Sequence, residues 1–224
     1  MNSLLSDILF GFTGLISIIN PIGVAFVFYD RTAALTESAR HLIARRVAIN
    51  AFFVLLVAFF VGAPVLHFFG ISIEALRIGG GLAVAVAGWQ MLNAPDVQIS
   101  AQHDTERLDP ELAASKAFFP LTVPLTTGPG SIATAIALTA NRAPHKLPTF
   151  LLSAVASIVI SLLVMLVIYL VYSRAARLAQ YLGTSGTRVA LRVSSFLLLC
   201  IGVQIMLTGV QGFLEPIIRT QGTG

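Results

Sequence analysis

The chain has 224 residues, 56% of them hydrophobic and only 11% charged, with a mean hydropathy of +0.88 and a formal net charge of +4. A soluble domain carries about 25% charged residues, so this composition excludes a water-soluble body, and its low charge density excludes a disordered chain. The single cysteine, Cys200, excludes a disulfide framework and a thiolate metal site. What remains is a polytopic membrane protein with the lipid bilayer as its first partner.

A helix crosses the hydrocarbon core with about 20 mostly apolar residues. Six stretches of that kind occur, at about 8–29, 47–69, 73–93, 117–140, 148–172 and 189–214. They are too long and too continuous for the alternating strands of a membrane barrel. The first Lys or Arg is Arg31, so the N-terminus lacks the basic region of a signal peptide.

The first span is interrupted. Pro21 has no backbone donor and its ring clashes with the carbonyl of Ser17. Asn20 before it is pushed from helical geometry, and Asn-Pro is a good start for a new helix. The break falls at about the thirteenth of 22 span residues, near the bilayer midplane. In the third span Gly79, Ala83 and Ala87 recur every four residues, a small face read as helix packing, with a place on a substrate path as the alternative. Glu74 and Arg77 stand one turn apart at the start of that span, within pairing reach. The connection 94–116 is polar and acidic. The fourth span holds three prolines and two glycines within 120–130, and Gly128-Pro129-Gly130 again lies near mid-span. Gly183-Thr184-Ser185-Gly186 before the last span reads as a turn. As an intramembrane serine protease motif it lacks a general base, since His67 belongs to the opposite side.

Spans 3 and 6 resemble each other. Ala75-Leu76-Arg77 matches Ala190-Leu191-Arg192 at an offset of 115, and Gly88-x-Gln90 matches Gly202-x-Gln204 one residue out of that register. The breaks of spans 1 and 4 stand about 108 apart. The expected fold is therefore all-α and integral to the membrane: six transmembrane helices as two inverted three-helix repeats, with helices 1 and 4 broken near the midplane. Residues 1–93 form the first repeat, 94–116 a cytoplasmic connecting loop and 117–224 the second repeat.

Positive charge sets the orientation. Arg31, Arg40, Arg45, Arg46, Arg107, Lys116, Arg174, Arg177 and Arg188 fall on one side; Arg142, Lys146 and Arg219 fall on the other. That split of nine to three places both termini outside, in the periplasm, and reads the basic residues as topology signals rather than a nucleic-acid face.

Two opposed half-helices meeting at the midplane offer free N–H groups to a carboxylate and free carbonyls to an ammonium. A small zwitterion satisfies both. A methyl group on Gly130 is then expected to enter the ligand's space while leaving the fold intact. No Asp, Glu, Lys or His lies near the middle of any span, so an intramembrane carboxylate relay is missing. Coupling to Na⁺ through oxygen ligands, or to H⁺ through a peripheral carboxylate such as Asp30 or Glu74, stays open. No cofactor and no metal are expected. His41, His67, His103 and His145 are scattered and no His-Glu-x-x-His motif occurs, so the chain reads as a non-enzyme. A passive small-solute channel is the alternative within the same architecture, and a homo-oligomer is left open.

Asn20-Pro21-Ile22-Gly23 and Pro120-Leu121-Thr122-x-Pro124-Leu125-x-x-Gly128-Pro129-Gly130 resemble the two signature stretches of the MarC family of six-span bacterial and archaeal inner-membrane proteins. The resemblance covers essentially the whole chain. The family is similar to small neutral amino-acid transporters whose characterised members move glycine and alanine. It implies a secondary transporter of the inner membrane, with a small-molecule substrate held by Asn20, Pro21, Gly23, Thr126, Thr127, Gly128, Pro129, Gly130 and Ser131. Export of other metabolites or drugs is a second implication.

Overall fold

The computed structural model describes residues 2–33, 35–93, 117–140 and 147–221. The acidic connection 94–116 and the basic residues Arg142 and Lys146 lie outside the described residues. The elements are α1 (Asn2–Ile19), α2 (Pro21–Arg31), α3 (Glu37–Phe68), α4 (Ile73–Leu92), α5 (Ala117–Thr126), α6 (Pro129–Ala140), α7 (Leu147–Ser173) and α8 (Ala175–Gln221). Among the described residues there is no strand. Five helical stretches are long and apolar enough to cross a membrane, and α6 is a shorter apolar helix that follows α5.

The interior is apolar and small-residue-rich. Leu15, Phe28, Val47, Leu55, Val164, Ile168 and Tyr172 are fully buried, and the Phe28 and Tyr172 rings stack with centroids 4.7 Å apart. Phe53, Val57, Phe68, Leu162 and Phe196 point outward and exposed. In water such a surface would drive association; against lipid tails it is the expected exterior.

Two helix starts lie earlier than hydropathy suggests. α3 begins at Glu37, ten residues before the expected start of the second span. Thr36 caps it by accepting from the backbone N–H of Ala39. Arg40, on its first turns, is buried: it donates to the Thr32 hydroxyl at 3.3 Å and to the carbonyls of Thr32 and Leu35 at 3.1 and 3.2 Å. Its guanidinium also stands 5.1 Å from the centre of the Tyr29 ring, a cation–π contact. A hydropathy window discards this charged turn, whereas capping and pairing make it helical. α8 begins at Ala175, and the turn expected over 183–186 narrows to Gly183 alone, at φ +68°. Only glycine takes that conformation without strain.

α4 and α8 cross in closest contact. A methyl group on Gly88 would fall 2.5 Å from the backbone nitrogen of Leu199 and 2.9 Å from the carbonyl oxygen of Ser195. One on Gly202 would meet the backbone nitrogen of Ala85 and lie 2.7 Å from the carbonyl oxygen of Gly81. Small residues let the two backbones approach this closely. The packing face is therefore Gly81 and Gly88, not the Gly79–Ala83–Ala87 stripe: a methyl on Gly79 would meet nothing within 4 Å. Spacing by four identified a small face correctly as a pattern but not which neighbour it served. Glu74 and Arg77 form no ion pair among the described residues; both lie against α8, near Gly209.

Candidate binding site

The first break is closed by its own residue. Asn20 adopts φ +46°, a left-handed conformation that Asn tolerates better than most residues. Its carbonyl accepts from Val24 N–H at 3.0 Å, and its side-chain oxygen accepts from Gly23 N–H at 3.3 Å. The side-chain nitrogen donates to the Ser194 carbonyl of α8, also at 3.3 Å. Asn20 thus caps α2 and ties it to α8. Gly23 is fitted to the same neighbour: a methyl there would stand 2.5 Å from the Ser194 Cβ.

The second break is built differently. The sequence 119–126 is a tandem of apolar-Pro-Leu-Thr, Phe119-Pro120-Leu121-Thr122 and Val123-Pro124-Leu125-Thr126. Each residue before a proline is extended, Phe119 at φ −122°, ψ 126° and Val123 at φ −116°, ψ 124°, as steric clash with the proline ring requires. The helix widens, and threonine hydroxyls supply donors that the prolines lack. Thr122 Oγ1 donates to the Ala117 carbonyl and Thr126 Oγ1 to the Leu121 carbonyl, each at 2.6 Å. Since that bond uses the Thr126 proton, the Tyr172 hydroxyl, 3.0 Å away, donates to Thr126. Thr127 N–H bonds the Thr122 carbonyl at 2.8 Å. Broken helices in lipid need such replacements. Among the described residues no buried side-chain polar atom lacks a partner.

α6 then starts at Pro129. Ile132 N–H donates to the Gly128 carbonyl at 3.2 Å, as Val24 N–H does to Asn20. Gly128 has no side chain to cap the turn, so the N–H groups of Gly130 and Ser131 are first-turn donors without an intrahelical acceptor. The Ser131 hydroxyl turns inward to the Gly128 carbonyl at 2.9 Å.

A cavity of about 470 Å³ opens beside this second break. That is within the usual range for small-molecule sites and holds about fifteen waters at ~30 Å³ each. Its floor includes Thr126, Gly128, Pro129, Gly130 and Ser131. One wall is Ile18, Ile19, Val24 and Val27; the facing wall is Ala83, Val84, Ala87 and Gln90 of α4. Arg31 also lines it, at the end of α2. The ten steps from Pro21 to Arg31 rise about 15 Å, half the hydrocarbon thickness. The cavity therefore runs from the break toward the side where α2 and α4 end.

Five of the nine residues singled out from the sequence line this cavity, Thr126 and Gly128 to Ser131. Asn20, Pro21, Gly23 and Thr127 do not: Pro21 and Gly23 are buried against protein and Thr127 is fully buried under Thr122. Gly130 is also tighter than expected, because a methyl group there would run into the Val84 side chain. The α4 wall and Arg31 were not picked out as site residues. Gln90 was visible only as part of the Gly-x-Gln match, and Ala83 and Ala87 only as a small stripe for which a substrate path was the second reading.

Residues 5–214 match the model of a family described as MarC family integral membrane protein. The inner membrane protein MarC of Salmonella typhimurium is 31% identical over 215 residues, covering 94% of this chain and 96% of that protein. The protein of the same name in Citrobacter koseri has the same identity and coverage. That of Escherichia coli O1:K1 is 30% identical over 204 residues, 89% of this chain and 92% of its own length. No solved structure matches.

Proposed function

We propose, on the premise that this chain belongs to the MarC family of integral membrane proteins, that it is a secondary transporter of small neutral amino acids of the glycine and alanine kind. The observation that carries this reading is the cavity at the α5–α6 break, where the first-turn N–H groups of Gly130 and Ser131 meet apolar walls at about mid-bilayer depth. A substrate carboxylate is received by those donors and the positive end of the α6 dipole. Thr126 and Gly128 to Ser131 touch the substrate, while Asn20, Pro21, Gly23 and Thr127 hold the frame around it.

The carrier has six spans, α5 and α6 together forming the fourth, in two inverted three-helix repeats. Support comes from the α4–α8 crossing. Subtracting 114 from Leu199 and Ser195, which meet Gly88, gives Ala85 and Gly81, which meet Gly202. The same contacts recur at an offset of 121, with Gly81 on Met206 mirrored by Gly202 on Ala85, so they fit a two-fold axis between antiparallel helices without fixing its register. The relatives named above are called inner membrane proteins, which supports the same location here. With nine basic residues on one side, the termini are periplasmic and the cavity faces the cytoplasm. It works without a cofactor and catalyses no reaction. Thr126, Gly128 and Ser131 in its lining offer hydroxyl and carbonyl oxygens to Na⁺ as the coupled ion. Within a homo-oligomer each copy keeps its own cavity and transports by itself.

The test is uptake of labelled glycine or alanine into proteoliposomes. Saturable uptake with counterflow is expected; linear, non-saturable flux would establish a passive channel instead. A charged amino acid or a bulky drug as the best competitor would sink the small-neutral reading. For orientation, a reporter active only in the cytoplasm should be silent when fused after residue 224 and active when inserted within 98–109.

A further inference from the structure

We propose that the outer end of the cavity is an anion-receiving station formed by Arg31 of α2 and Gln90 of α4, where a substrate's carboxylate is first held and solutes carrying only a cation are turned away. The inference rests on the small amino-acid carrier reading and deepens it. The charge that selects a substrate lies apart from the Gly130 and Ser131 amides that seat it.

Two neighbouring arginines do different work. Arg40 is buried, and its guanidinium is taken up by the Thr32 hydroxyl and the carbonyls of Thr32 and Leu35. Arg31, the last residue of α2, is exposed and lines the cavity. A cation at that position ordinarily serves the last carbonyls and the negative dipole end of its own helix. Here other groups take that task. The Phe28 carbonyl accepts from the Thr32 hydroxyl at 2.7 Å and from the Thr32 N–H at 3.1 Å, and the Tyr29 carbonyl lies 3.3 Å from the same hydroxyl. The next carbonyl beyond the helix, that of Thr32, accepts from Arg40. The end of α2 is closed without the Arg31 side chain, whose guanidinium borders the cavity instead.

Gln90 belongs to the same end. It is exposed and lines the cavity just before α4 finishes at Leu92. Its amide offers donors to a carboxylate and an oxygen to an ammonium. A guanidinium adds a full charge and parallel donors that match carboxylate geometry. Inward of them the lining is apolar, with Val24, Val27, Val84 and Leu125, and a charge at the mouth of a low-dielectric cleft has its field focused there. This end and the break are separate places. A methyl on Gly130 would run into Val84, so the first amides of α6 stand beside that residue. Six residues farther along α4, Gln90 lies about 9 Å away, and Arg31 stands about 15 Å along α2 from Pro21. Alanine is shorter than either span, so it meets Arg31 and Gln90 first and the Gly130 and Ser131 amides afterwards. The outer cation governs which solutes enter and how readily; the inner amides govern how the admitted one is held.

The test sets alanine against its two halves, propionate and ethylamine, as competitors of labelled alanine uptake into phosphatidylcholine vesicles with the cavity side facing the medium. Propionate should compete, behind alanine itself, and ethylamine should not. Arg31→Gln should raise KM about three- to fivefold, the worth of an exposed ion pair, more than it lowers kcat, and should erase the preference for propionate. Arg31→Lys should restore most of both, and Arg31→Glu should make ethylamine the better competitor. Should Arg31→Gln not fold, Gln90→Glu takes its place: the new carboxylate engages Arg31 and repels that of the substrate, with a similar rise in KM. A KM and a propionate preference that these variants leave unmoved overturn the station. An effect of Arg31→Gln that appears only when phosphatidylglycerol is added to the vesicles also overturns it, since Arg31 then serves a lipid phosphate. A rise in melting temperature with propionate that depends on Arg31, without saturable alanine uptake, keeps the station and removes the amino-acid reading. Saturable alanine uptake with KM and preference unaltered by loss of Arg31 does the converse.

Discussion

At Asn20 the chain turns and its own side chain closes the helix that follows, while at Gly128 the matching turn is left uncapped. Both breaks put a proline first in a half-helix and send the same carbonyl to the amide four residues on. They diverge in what surrounds them. Around Asn20 the spare donors go to protein, Gly23 N–H to the Asn20 oxygen and the Asn20 amide to Ser194. Around Gly128 the preceding segment is held by threonine hydroxyls, and the next two amides look into a cavity. The lesson is that a helix break is only a supply of backbone groups. Neighbouring side chains decide whether the supply is used internally or offered to a ligand.

The sharpest test of this contrast is Thr126→Val. The hydroxyl serves the Leu121 carbonyl and accepts from Tyr172, both in full burial. Valine leaves two groups unsatisfied at about 1–3 kcal/mol each, so a loss of about 2–4 kcal/mol is expected, read as a melting-temperature drop of the detergent-solubilised protein. Thr126→Ser should keep most of the stability, and Tyr172→Phe should lose only about 1 kcal/mol, because Thr126 keeps Leu121.

Next come the paired glycines. Gly23→Ala and Gly130→Ala both overpack, at about 1–3 kcal/mol, against Ser194 and Val84 respectively. Their rescues should differ. Ser194→Gly should return the Gly23→Ala protein most of the way to parental stability, with uptake recovering in step, the remainder being the Asn20 side-chain nitrogen 2.6 Å from the added methyl. Val84→Ala should return the Gly130→Ala fold, but uptake should stay depressed, since the methyl narrows the space beside the substrate. Full recovery of uptake in the second pair would make the two breaks equivalent.

Asn20→Ala should cost about 1–2 kcal/mol, from the lost cap and the left-handed backbone, with uptake falling only as folded protein falls. Ser131→Ala should cost no more than about 1 kcal/mol yet reduce uptake disproportionately. Ala87→Leu should be the gentlest to the fold, because the side chain is exposed on the cavity wall. A melting temperature near the parent's with about tenfold weaker uptake would locate the substrate path along α4.

Much of this frame was legible in the residues. Asn20-Pro21 and Gly128-Pro129 announce their breaks because proline acts on its immediate neighbours, and local rules need no tertiary knowledge. The weaker-looking match tracks the packing better: Gly88-x-Gln90 with Gly202-x-Gln204 has an offset of 114, one of two, with 121, at which the α4–α8 glycine contacts repeat, whereas the 115 of the Ala-Leu-Arg pair is neither. Neighbour identity was not legible. Nothing local distinguishes Gly23 facing Ser194 from Gly130 facing Val84, or tells which of Gly79, Gly80 and Gly81 meets α8. The tandem Pro-Leu-Thr could have been read as a hydroxyl substitute for missing amides, since its spacing alone carries that meaning. The start of α3 was hidden because burial of Arg40 depends on Thr32 and Tyr29, from the preceding turn and helix.

The length of α3 has a consequence for the lipids themselves. Its 32 residues rise about 48 Å, against about 30 Å of hydrocarbon. The apolar part, 47–68, spans the tails, and the first three turns, anchored by Arg40, stand among the headgroups on the side where Arg31 borders the cavity. Arg45 is exposed there and Arg46 half-buried. Each such cation near a membrane surface gains about 1 kcal/mol from anionic lipid. Arg31, Arg45 and Arg46 would thereby draw negative headgroups to the α2–α3 side of the cavity mouth, making the bilayer's phosphate chemistry part of the molecule's working environment.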